Sequence, residues 1–303
     1  MSTPLIEAIQ DAHPDDQIRL LTTPPFAPIF SAWQGLRVHA YPRRGWRAMS
    51  EVIAFVRRAK FDRIYDLQGN DRTSLICALA GATERVGNHT RFPYTHHPPD
   101  RWRGNIHIFE RMKRVLQSAN VSVTRQTPVL PSKLDNREKV EAWLARNARG
   151  EGKLVGLHAS ASAGRPEKCW PYFVGLAKRL VDNGLRPVWL GTLADQAQNA
   201  DFVQRAGGID ASGAFNIPEL ALCGERFAFA VTNDSGPMHV LSASGIPVYG
   251  LFGPSDWRRN HALGQQDHVI TNPHGGGRLD RISLEFVWQR LIKDQRVDAV
   301  NRS

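Results

Sequence analysis

Residues 227–254 read FAFAVTNDSGPMHVLSASGIPVYGLFGP, and this stretch predicts one βαβ unit. Its first part, Phe227–Val231, is a short apolar run with the composition of a strand buried on both faces. A cluster of turn and capping residues follows at Thr232–Pro237, and its proline suits the first turn of a helix. The pattern predicts that helix over residues 238–244 and a second buried strand at Ile246–Phe252.

The turn of this unit has the features of an anion-binding site. It lies at the carboxyl end of a strand and the amino end of a helix, where α/β sheets bind ligands. Free amides and the helix dipole favour an anion there, most often a phosphate, and Gly236 lets the backbone approach it closely. An ordinary helix start without a ligand fits the same residues. Asp234 and His239, which flank the turn, favour the ligand site.

The segment from Asn233 to Asp256, NDSGPMHVLSASGIPVYGLFGPSD, closely resembles the signature of glycosyltransferase family 9, the lipopolysaccharide heptosyltransferases. The resemblance covers most of the chain and is strongest over residues 154–264. It implies an α/β fold of the GT-B type, in which two Rossmann-like domains face each other across a cleft that holds a nucleotide-sugar. We expect an acceptor-side domain at 1–150, a nucleotide-sugar-binding domain at 151–283, and a C-terminal helix at 284–303 that crosses back to the first domain.

Length and composition are those of a soluble protein with two α/β domains. The chain has 303 residues, of which 42% are hydrophobic and 22% are charged. No apolar run approaches the roughly 20 residues that a membrane-spanning helix needs. The amino terminus has no basic region followed by an apolar core, so no secretory signal is predicted. The three widely spaced cysteines, Cys77, Cys169 and Cys223, predict reduced thiols in a cytoplasmic protein.

The positive charge of the chain is concentrated in its first half. Residues 1–150 hold 23 Lys and Arg against 14 Asp and Glu, a net charge of +9, whereas residues 151–303 hold 16 against 15, a net charge of +1. Arginine dominates the first half, and guanidinium groups suit phosphate oxygens and anionic head groups. An acidic acceptor held at the inner membrane and an ordinary solvated surface both fit this charge. Nucleic acid fits less well, because no recognised binding motif is present.

The beginning of the chain departs from the pattern of the family that it resembles. A family 9 protein normally opens with a strand and a loop of the form LG-D, whose aspartate is the proposed catalytic base. Here the first apolar residues, Leu5, Ile6 and Ile9, have the spacing of a helix. We therefore expect the first domain to lack its usual first strand, either because the start codon lies upstream or because the element is lost. An LG-D strand encoded in frame upstream would distinguish the two.

The resemblance implies a set of donor-binding residues in the second domain. Backbone amides of the turn would hold the diphosphate. The resemblance assigns Asp234 to the sugar and to the geometry of the loop, and it assigns His239 to the phosphate end of the donor. Lys168, in the family pattern K-x-W-P, would balance the charge of the leaving diphosphate and is, with Asp234, a catalytic candidate. The donor-binding candidates are Ser160, Ser162, Lys168, Asp195, Asp234, Ser235, Gly236, Pro237, Met238 and His239.

Two of these assignments leave alternatives open. Ser160 and Ser162 are hydroxyl donors to phosphate or members of an ordinary polar loop, which is about two residues longer than the usual family spacing. Asp195 is placed where the family puts an acidic residue on the ribose hydroxyls, but it also suits the cap of a helix. No DxD-like pair follows a predicted strand, so we expect neither a metal nor another cofactor, and the nucleotide-sugar is a substrate.

Acceptor-side candidates follow the predicted strand Phe61–Leu67 and lie in a basic loop predicted at residues 84–105. They are Gln68, Asn70, Arg72, Arg91, Arg101 and Arg103. Asp66 is the evident substitute for a missing catalytic base, although the same motif occurs in the family alongside the usual aspartate.

Taken with the resemblance, these residues indicate an inverting, metal-independent glycosyltransferase. It would move a heptose from a nucleotide-sugar, expected to be ADP-heptose, to a lipopolysaccharide inner-core acceptor. The expected location is the cytoplasm, with peripheral contact at the cytoplasmic face of the inner membrane. The alternatives are a non-catalytic relative that binds nucleotide-sugar and a nucleotide-sugar 2-epimerase of GT-B shape, whose acid cluster near the sugar is not evident. A dinucleotide dehydrogenase is disfavoured because no GxGxxG follows a strand.

Overall fold

The chain forms two compact units of parallel strands and helices. A computed structural model describes residues 1–43, 45–100, 105–161, 165–274 and 277–298. The first unit is Met1–Pro131 and the second is Ser132–Ser303. Every strand pairing in the described residues is parallel, which places helices between successive strands.

The described residues of the first unit form four helices and four short strands. In chain order these are α1 (Thr3–Ala12), β1 (Ile18–Thr22), β2 (Leu36–Ala40), α2 (Trp46–Ala59), β3 (Arg63–Tyr65), α3 (Asp71–Ala80), β4 (Glu84–Val86) and α4 (Ile108–Gln117), with a 3-10 helix at Pro24–Phe30. β1 pairs with β2 and β3 pairs with β4, so this unit holds two separate two-stranded sheets. α1 is the first element of the described residues.

One strand of this unit was not predicted. Residues 84–105 were predicted to be a loop, but Glu84–Val86 forms β4 beside β3. The segment has three residues, and only Val86 is fully buried, so it carries no alternating apolar pattern. The conformation of Glu84–Val86 is decided by its pairing with β3, and residues 84–86 alone carry no signal of that pairing.

The second unit is larger and more regular. Its elements are α5 (Leu134–Asn147), β5 (Leu154–His158), α6 (Phe173–Asp182), β6 (Arg186–Gly191), α7 (Gln196–Ala206), β7 (Ile209–Ser212), α8 (Ile217–Gly224), β8 (Phe227–Asn233), α9 (Gly236–Leu241), β9 (Val248–Phe252), α10 (Trp257–Asn260), β10 (Val269–Thr271) and α11 (Leu284–Lys293). The six strands form one sheet in the order β10-β9-β8-β5-β6-β7. This is the order of a doubly wound dinucleotide-binding fold, with β5 as its first strand.

The sheet of the second unit is buried on both faces. One core cluster gathers Leu157, Trp189 and Tyr249 with the helices on one side, and the other gathers Val188, Phe227 and Val248 on the opposite side. All five residues of β5 and all five of β9 are buried, as expected for parallel strands covered by helices. The strands predicted at 227–231 and 246–252 are thus present as β8 and β9, with small shifts at their ends.

The two compact units meet earlier in the chain than residue 150. Helix α5 was assigned to the first domain from sequence, but it packs within the second unit. Val140 is buried in a core cluster of that unit, and the ring of Trp143 lies against Phe215 with centroids 4.9 Å apart. The turn after α5 has the composition of a linker, which is why the sequence favoured a boundary there.

The last helix packs on the second unit. Val287, Trp288 and Leu291 of α11 are buried in the same cluster as β5. Residues 299–303 lie outside the described residues, and the expected crossing of segment 284–303 onto the first domain stays a prediction. In the described part of the chain, no helix is both long and apolar enough to span a membrane.

Candidate functional site

The predicted turn lies at the point where the strand order of the second sheet reverses. β5 and β8 are neighbours, and the strands that follow each of them run outward to opposite edges. The crevice outside the carboxyl ends of such a strand pair is the usual ligand site of an open α/β sheet. Here those ends are His158 and Asn233, so the residues after them form the candidate site.

Asn233 joins three segments of this site. It is fully buried, and β8 extends to it, two residues beyond the strand end predicted at Val231. Its Nδ2 donates to the carbonyl of Ala159 at 2.6 Å, and its Oδ1 accepts from the amide of Trp170 at 3.1 Å. The ends of β5 and β8 and the loop before α6 are therefore held together by one side chain, which was not among the predicted site residues.

Lys168 lies next to the turn, where the resemblance placed it. Its Nζ is 2.7 Å from Oδ2 of Asp234, and the two side chains are 19% and 11% exposed. The loop that carries Lys168 is anchored by Trp170, which is buried and donates from its indole nitrogen to the carbonyl of Ile282 at 2.6 Å. A positive charge is thus fixed beside the turn, where it is balanced by Asp234.

The amino end of α9 is open. Ser235 is its N-cap residue, and its side chain makes no cap hydrogen bond. Gly236 is exposed, and a Cβ added there would meet no atom within 4 Å. Pro237 has no N–H, so the amide donors of the turn belong to its neighbours. The side chain of Met238 is buried in the core, and only its backbone can contribute to a ligand site.

His158 is a site residue that the sequence did not reveal. Its Nδ1 lies 3.0 Å from Oγ of Ser235, which is also 3.2 Å from the carbonyl oxygen of Asn233. Burial lowers the pKa of His158 to about 4, and the negative charge of Asp195 opposes that shift only weakly. The imidazole is therefore neutral at neutral pH and serves as a buried hydrogen-bonding group beneath the turn.

Asp195 caps the short helical turn that follows β6. Its Oδ2 accepts from the amide and the hydroxyl of Thr192, at 2.7 and 2.8 Å. Burial alone would raise the pKa of Asp195, but hydrogen bonds from Ser160 and Thr192 outweigh it, and the pKa is lowered. A charged carboxylate and the buried Ser160 are thus close together at the carboxyl ends of β6 and β5. Asp195 thus completes a capping box with Thr192, although as the N-cap residue of α7 its side chain makes no cap hydrogen bond, and the ribose-binding role stays a prediction.

His239 is half-buried in α9, and its backbone carbonyl accepts from the hydroxyl of Ser242 at 2.9 Å. Ser162 lies outside the described residues, as do Arg101 and Arg103 of the acceptor-side set. No group of three or more His, Cys, Asp or Glu side chains among the described residues is placed to hold a metal ion.

In the first unit, the predicted site residues Asp66, Gln68 and Asn70 take part in hydrogen bonds that fix the backbone after β3. Asp66 is buried; its Oδ1 accepts from the amides of Gln68 and Gly69, and its Oδ2 accepts from the hydroxyl of Tyr94 at 2.5 Å. Asn70 caps α3 through the amide of Thr73. A carboxylate fixed by three donors positions the loop after β3, and this arrangement does not favour the role of catalytic base suggested for Asp66.

The other acceptor-side candidates of the first unit differ in exposure. Arg72 donates to the backbone carbonyls of Pro42 and Arg43, so it ties the loop after β2 to α3. The guanidinium of Arg111 donates to the backbone carbonyl of Gln68, and Arg91 is exposed. Arg111 was not among the predicted residues; of the candidates Arg72 and Arg91, the side chain of Arg91 is the more open to solvent.

Comparison with known proteins matches residues 49–280 to the family described as glycosyltransferase family 9 (heptosyltransferase). Lipopolysaccharide heptosyltransferase 2 of Escherichia coli K12 is 24% identical over 245 residues, which span 71% of this chain and 66% of that relative, just under two thirds of its length.

Solved structures resemble the chain along nearly its whole length. The glycosyl transferase family 9 protein of Veillonella parvula superposes with a TM-score of 0.83 at 22% identity, covering 96% of this chain and 92% of that one. The E. coli heptosyltransferase WaaC with ADP-2-deoxy-2-fluoro heptose superposes with a TM-score of 0.70 at 19% identity, covering 97% and 95%. At these identities the likeness establishes the fold.

Proposed function

Because the chain belongs to glycosyltransferase family 9 and has the GT-B fold, we propose that it transfers a heptose from ADP-heptose to the inner core of lipopolysaccharide. The observation that supports this most directly is the Lys168–Asp234 pair beside the open amino end of α9, at the reversal point of the sheet. A structural relative was solved with an ADP-heptose analogue, which suggests the donor.

The proposed chemistry needs a group that absorbs charge on the leaving diphosphate. A glycosyl bond to a nucleotide diphosphate breaks through an oxocarbenium-like state, while negative charge builds on the leaving phosphate. Lys168 can turn from Asp234 toward that charge, and the amides around Ser235 and Gly236 add donors without reorganising. In this proposal the lysine and the amides stabilise the leaving group, and no metal is required.

We assign the nucleoside end of the donor to the neighbouring strand ends. Asp195 is charged and lies at the end of β6, and carboxylates accept paired hydroxyls well. A ribose there would take the place of the Thr192 donors or share the carboxylate with them. Ser160, buried at the end of β5, lies between this carboxylate and the turn.

The transfer is proposed to invert the anomeric centre, which requires a base on the acceptor hydroxyl. Asp66 is held by three hydrogen bonds and is a poor candidate in this arrangement. A non-catalytic nucleotide-sugar-binding protein is therefore the second candidate. It is favoured by the three hydrogen bonds that engage Asp66.

Exposed side chains of the first unit suit contact with an anionic membrane. Large aromatic side chains are exposed in the segments that follow the carboxyl ends of β1, β2 and β4; they are Phe26, Trp46 and Phe92. Exposed arginines accompany them at Arg43, Arg47 and Arg91. Aromatic rings insert at the head-group level, and arginines are attracted to anionic lipids. We name these six residues the aromatic-arginine rim and propose that it holds the protein peripherally at the membrane that carries the acceptor.

Nucleotide binding tests the proposed donor site. ADP should raise the melting temperature well above the effect of UDP, GDP or NAD at equal concentration, because a ligand that binds only the folded state stabilises it. Lys168→Ala should remove most of the ADP shift, since it removes the charge beside the turn. Lys178→Ala is the matched control, because Lys178 is exposed on α6.

An unchanged ADP shift in Lys168→Ala would place the diphosphate elsewhere. Heptose transfer is then measured separately, with ADP-heptose and a heptose-deficient lipopolysaccharide acceptor. ADP release that depends on the acceptor supports the transferase. ADP binding with no turnover of any acceptor supports the non-catalytic candidate. Conversion of the donor sugar without acceptor would indicate an epimerase.

A further inference from the structure

Ser235 does not play the part that a serine usually plays at the start of a helix. It is the N-cap residue of α9, where a serine normally accepts a hydrogen bond from a backbone amide of the first turn. Its side chain makes no such bond. Its Oγ lies 3.0 Å from Nδ1 of His158 and 3.2 Å from the carbonyl oxygen of Asn233. The hydroxyl group is therefore held toward the ends of β5 and β8 and away from the helix.

These two contacts determine which ring nitrogen of His158 carries the proton. A hydroxyl group has one hydrogen, and a carbonyl oxygen can only accept. Both contacts are hydrogen bonds at the same time only if Ser235 donates to Asn233 and accepts from His158. Burial lowers the pKa of His158 to about 4, so the ring is neutral at neutral pH and has one protonated nitrogen. The geometry selects the tautomer with the proton on Nδ1.

The three residues of this chain of hydrogen bonds are shielded from water. His158 is 6% exposed, Ser235 is 9% exposed and Asn233 is fully buried. Hydrogen bonds strengthen one another in such surroundings, and a buried group that loses its partner is costly. The chain therefore fixes the position of the Ser235 side chain relative to the ends of β5 and β8.

The turn that follows β8 is held from three sides. The amide of Asp234 donates to the carbonyl of Leu251 in β9 at 3.2 Å, and its carboxylate pairs with Lys168. His158 supplies the contact from β5. Without His158, the hydroxyl of Ser235 is free to rotate toward the helix and cap it, which changes the turn beside Lys168.

We propose that His158 is a positioning residue for the donor diphosphate. By donating from Nδ1 to Ser235, it holds the turn beside Lys168 in the conformation that binds the diphosphate. The inference rests on the proposed function, because it deepens the assignment of the diphosphate to this turn. In this role His158 acts only through Ser235 and contacts neither the donor nor the reacting atoms.

Nuclear magnetic resonance on the wild type tests the tautomer directly. Long-range proton–nitrogen correlation spectra distinguish a protonated ring nitrogen from an unprotonated one, and the two nitrogens of a histidine are distinct. The signals of His158 are identified by their loss in His158→Asn and by their shift in Ser235→Ala. We expect Nδ1 to be protonated and Nε2 to be unprotonated at pH 7.5. The opposite tautomer would overturn the inference.

Calorimetric titration with ADP tests the positioning role. His158→Leu removes the donor and should weaken ADP binding about tenfold, and Ser235→Ala should weaken it by a similar factor. His158→Asn keeps an N–H donor near the position of Nδ1 and should bind ADP within about threefold of the wild type. His268→Leu is the matched control and should not change ADP affinity. His268 is a half-buried histidine just before the amino end of β10, whereas the site lies at the carboxyl ends of the strands.

A double-mutant cycle separates this role from a purely structural one. If His158 acts through Ser235, adding His158→Leu to Ser235→Ala should cost no more than about a further twofold in ADP affinity. Independent effects would multiply to about a hundredfold and overturn the inference. Urea unfolding of each variant gives its folded fraction, so that lost stability is not counted as lost affinity. If His158→Leu does not fold, Ser235→Ala decides, because unchanged ADP affinity in that variant also overturns the inference.

The outcomes distinguish this inference from the proposed function. A wild type that binds no ADP would overturn the proposed function and, with it, this role of His158. A wild type that binds ADP no better than His158→Leu and Ser235→Ala would overturn the inference alone. The assignment of the diphosphate to Lys168 would then stand on the Lys168→Ala titration.

Discussion

Gly236 and Gly250 lie in the same βαβ unit, but only Gly236 faces open space. A Cβ at Gly236 meets nothing within 4 Å, whereas a Cβ at Gly250 would lie 2.7 Å from Sδ of Met238 and 2.9 Å from the ring of Phe252. The Gly236 position is therefore free of packing demands, and an added methyl group there changes only the space above the turn amides.

We predict that Gly236→Ala leaves the free energy of unfolding within about 0.5 kcal/mol of the wild type, because no neighbour is displaced. The same change should weaken ADP binding about tenfold, or about 1.4 kcal/mol, because the methyl group occupies the approach to the amides. Urea unfolding and calorimetric titration measure the two quantities. Gly250→Ala should instead destabilise by about 1–3 kcal/mol through overpacking. Equal ADP affinity in Gly236→Ala and the wild type would argue against diphosphate binding at this turn.

His158 makes a pH-dependent contribution to stability. Its folded-state pKa is lowered to about 4 by burial, below the ordinary value of 6.5, so the unfolded chain binds more protons between these limits. The contribution of His158 to the free energy of unfolding is therefore fully present above pH 6.5 and is lost as the pH falls toward 4. The full loss is about 3 kcal/mol.

Urea unfolding of the wild type and of His158→Gln at pH 7.5 and pH 4.5 checks this prediction. The stability difference between the two proteins should shrink or reverse at the lower pH. His261 and His268 also have pKa values lowered by burial, but they are present in both proteins and cancel in the difference. A difference that does not change with pH would mean that His158 is not buried as a neutral imidazole.

At the scale of elements, Asn233 connects β8 to β5 and to the loop that carries Lys168. Asn233→Ala leaves the carbonyl of Ala159 and the amide of Trp170 without their partner. We predict a loss of about 2 kcal/mol or more in the free energy of unfolding. The loop around residues 166–170 should also lose protection from hydrogen exchange, and ADP affinity should fall.

Asn183→Ala is the matched control for this prediction. Asn183 donates to the carbonyl of Arg179 at the end of α6, a half-buried position away from the site. Its replacement should cost under about 1 kcal/mol and leave ADP affinity unchanged. If Asn233→Ala loses stability without any change at residues 166–170, the proposed link from β8 to the Lys168 loop is wrong.

For the molecule as a whole, the charge is distributed unevenly along the chain. Residues 1–150 carry a net charge of +9, and the aromatic-arginine rim lies within this half. Trp46 is 82% exposed and Phe92 is 77% exposed, which is unusual for side chains of this size. Together these features make the first unit the membrane-facing part in our proposal.

We predict that the protein cosediments with vesicles of anionic phosphatidylglycerol and phosphatidylethanolamine, and much less with neutral phosphatidylcholine. Replacing Trp46 and Phe92 together by Ser should reduce the bound fraction about tenfold, because the inserted rings contribute apolar burial. Added salt should weaken the remaining binding. Leu134→Ser, at an exposed apolar residue of the second unit, is the control and should bind as the wild type does. Equal binding to neutral vesicles would contradict the prediction.

Parts of the site could be predicted from local sequence and parts could not. The turn at 232–237 was predicted because its residue types specify their own backbone conformation, whereas the K-x-W-P loop was predicted from the family resemblance. Asp66 and Asp195 were predicted as carboxylates at strand ends, but sequence could not show that neighbouring donors hold them. His158 was missed because a lone histidine at the end of a strand gives no signal of its contact with Ser235, which lies 77 residues away in the chain.

The sequence by itself determined strands β8 and β9 and the βαβ unit that they form around the turn. These depend on residue types within short windows, and local backbone preference and apolar spacing are enough to specify them. The tertiary structure decided the strand order that brings β5 beside β8 and the placement of α5 in the second unit. Each of these depends on which distant segments pair, and that pairing is set by packing over the whole unit.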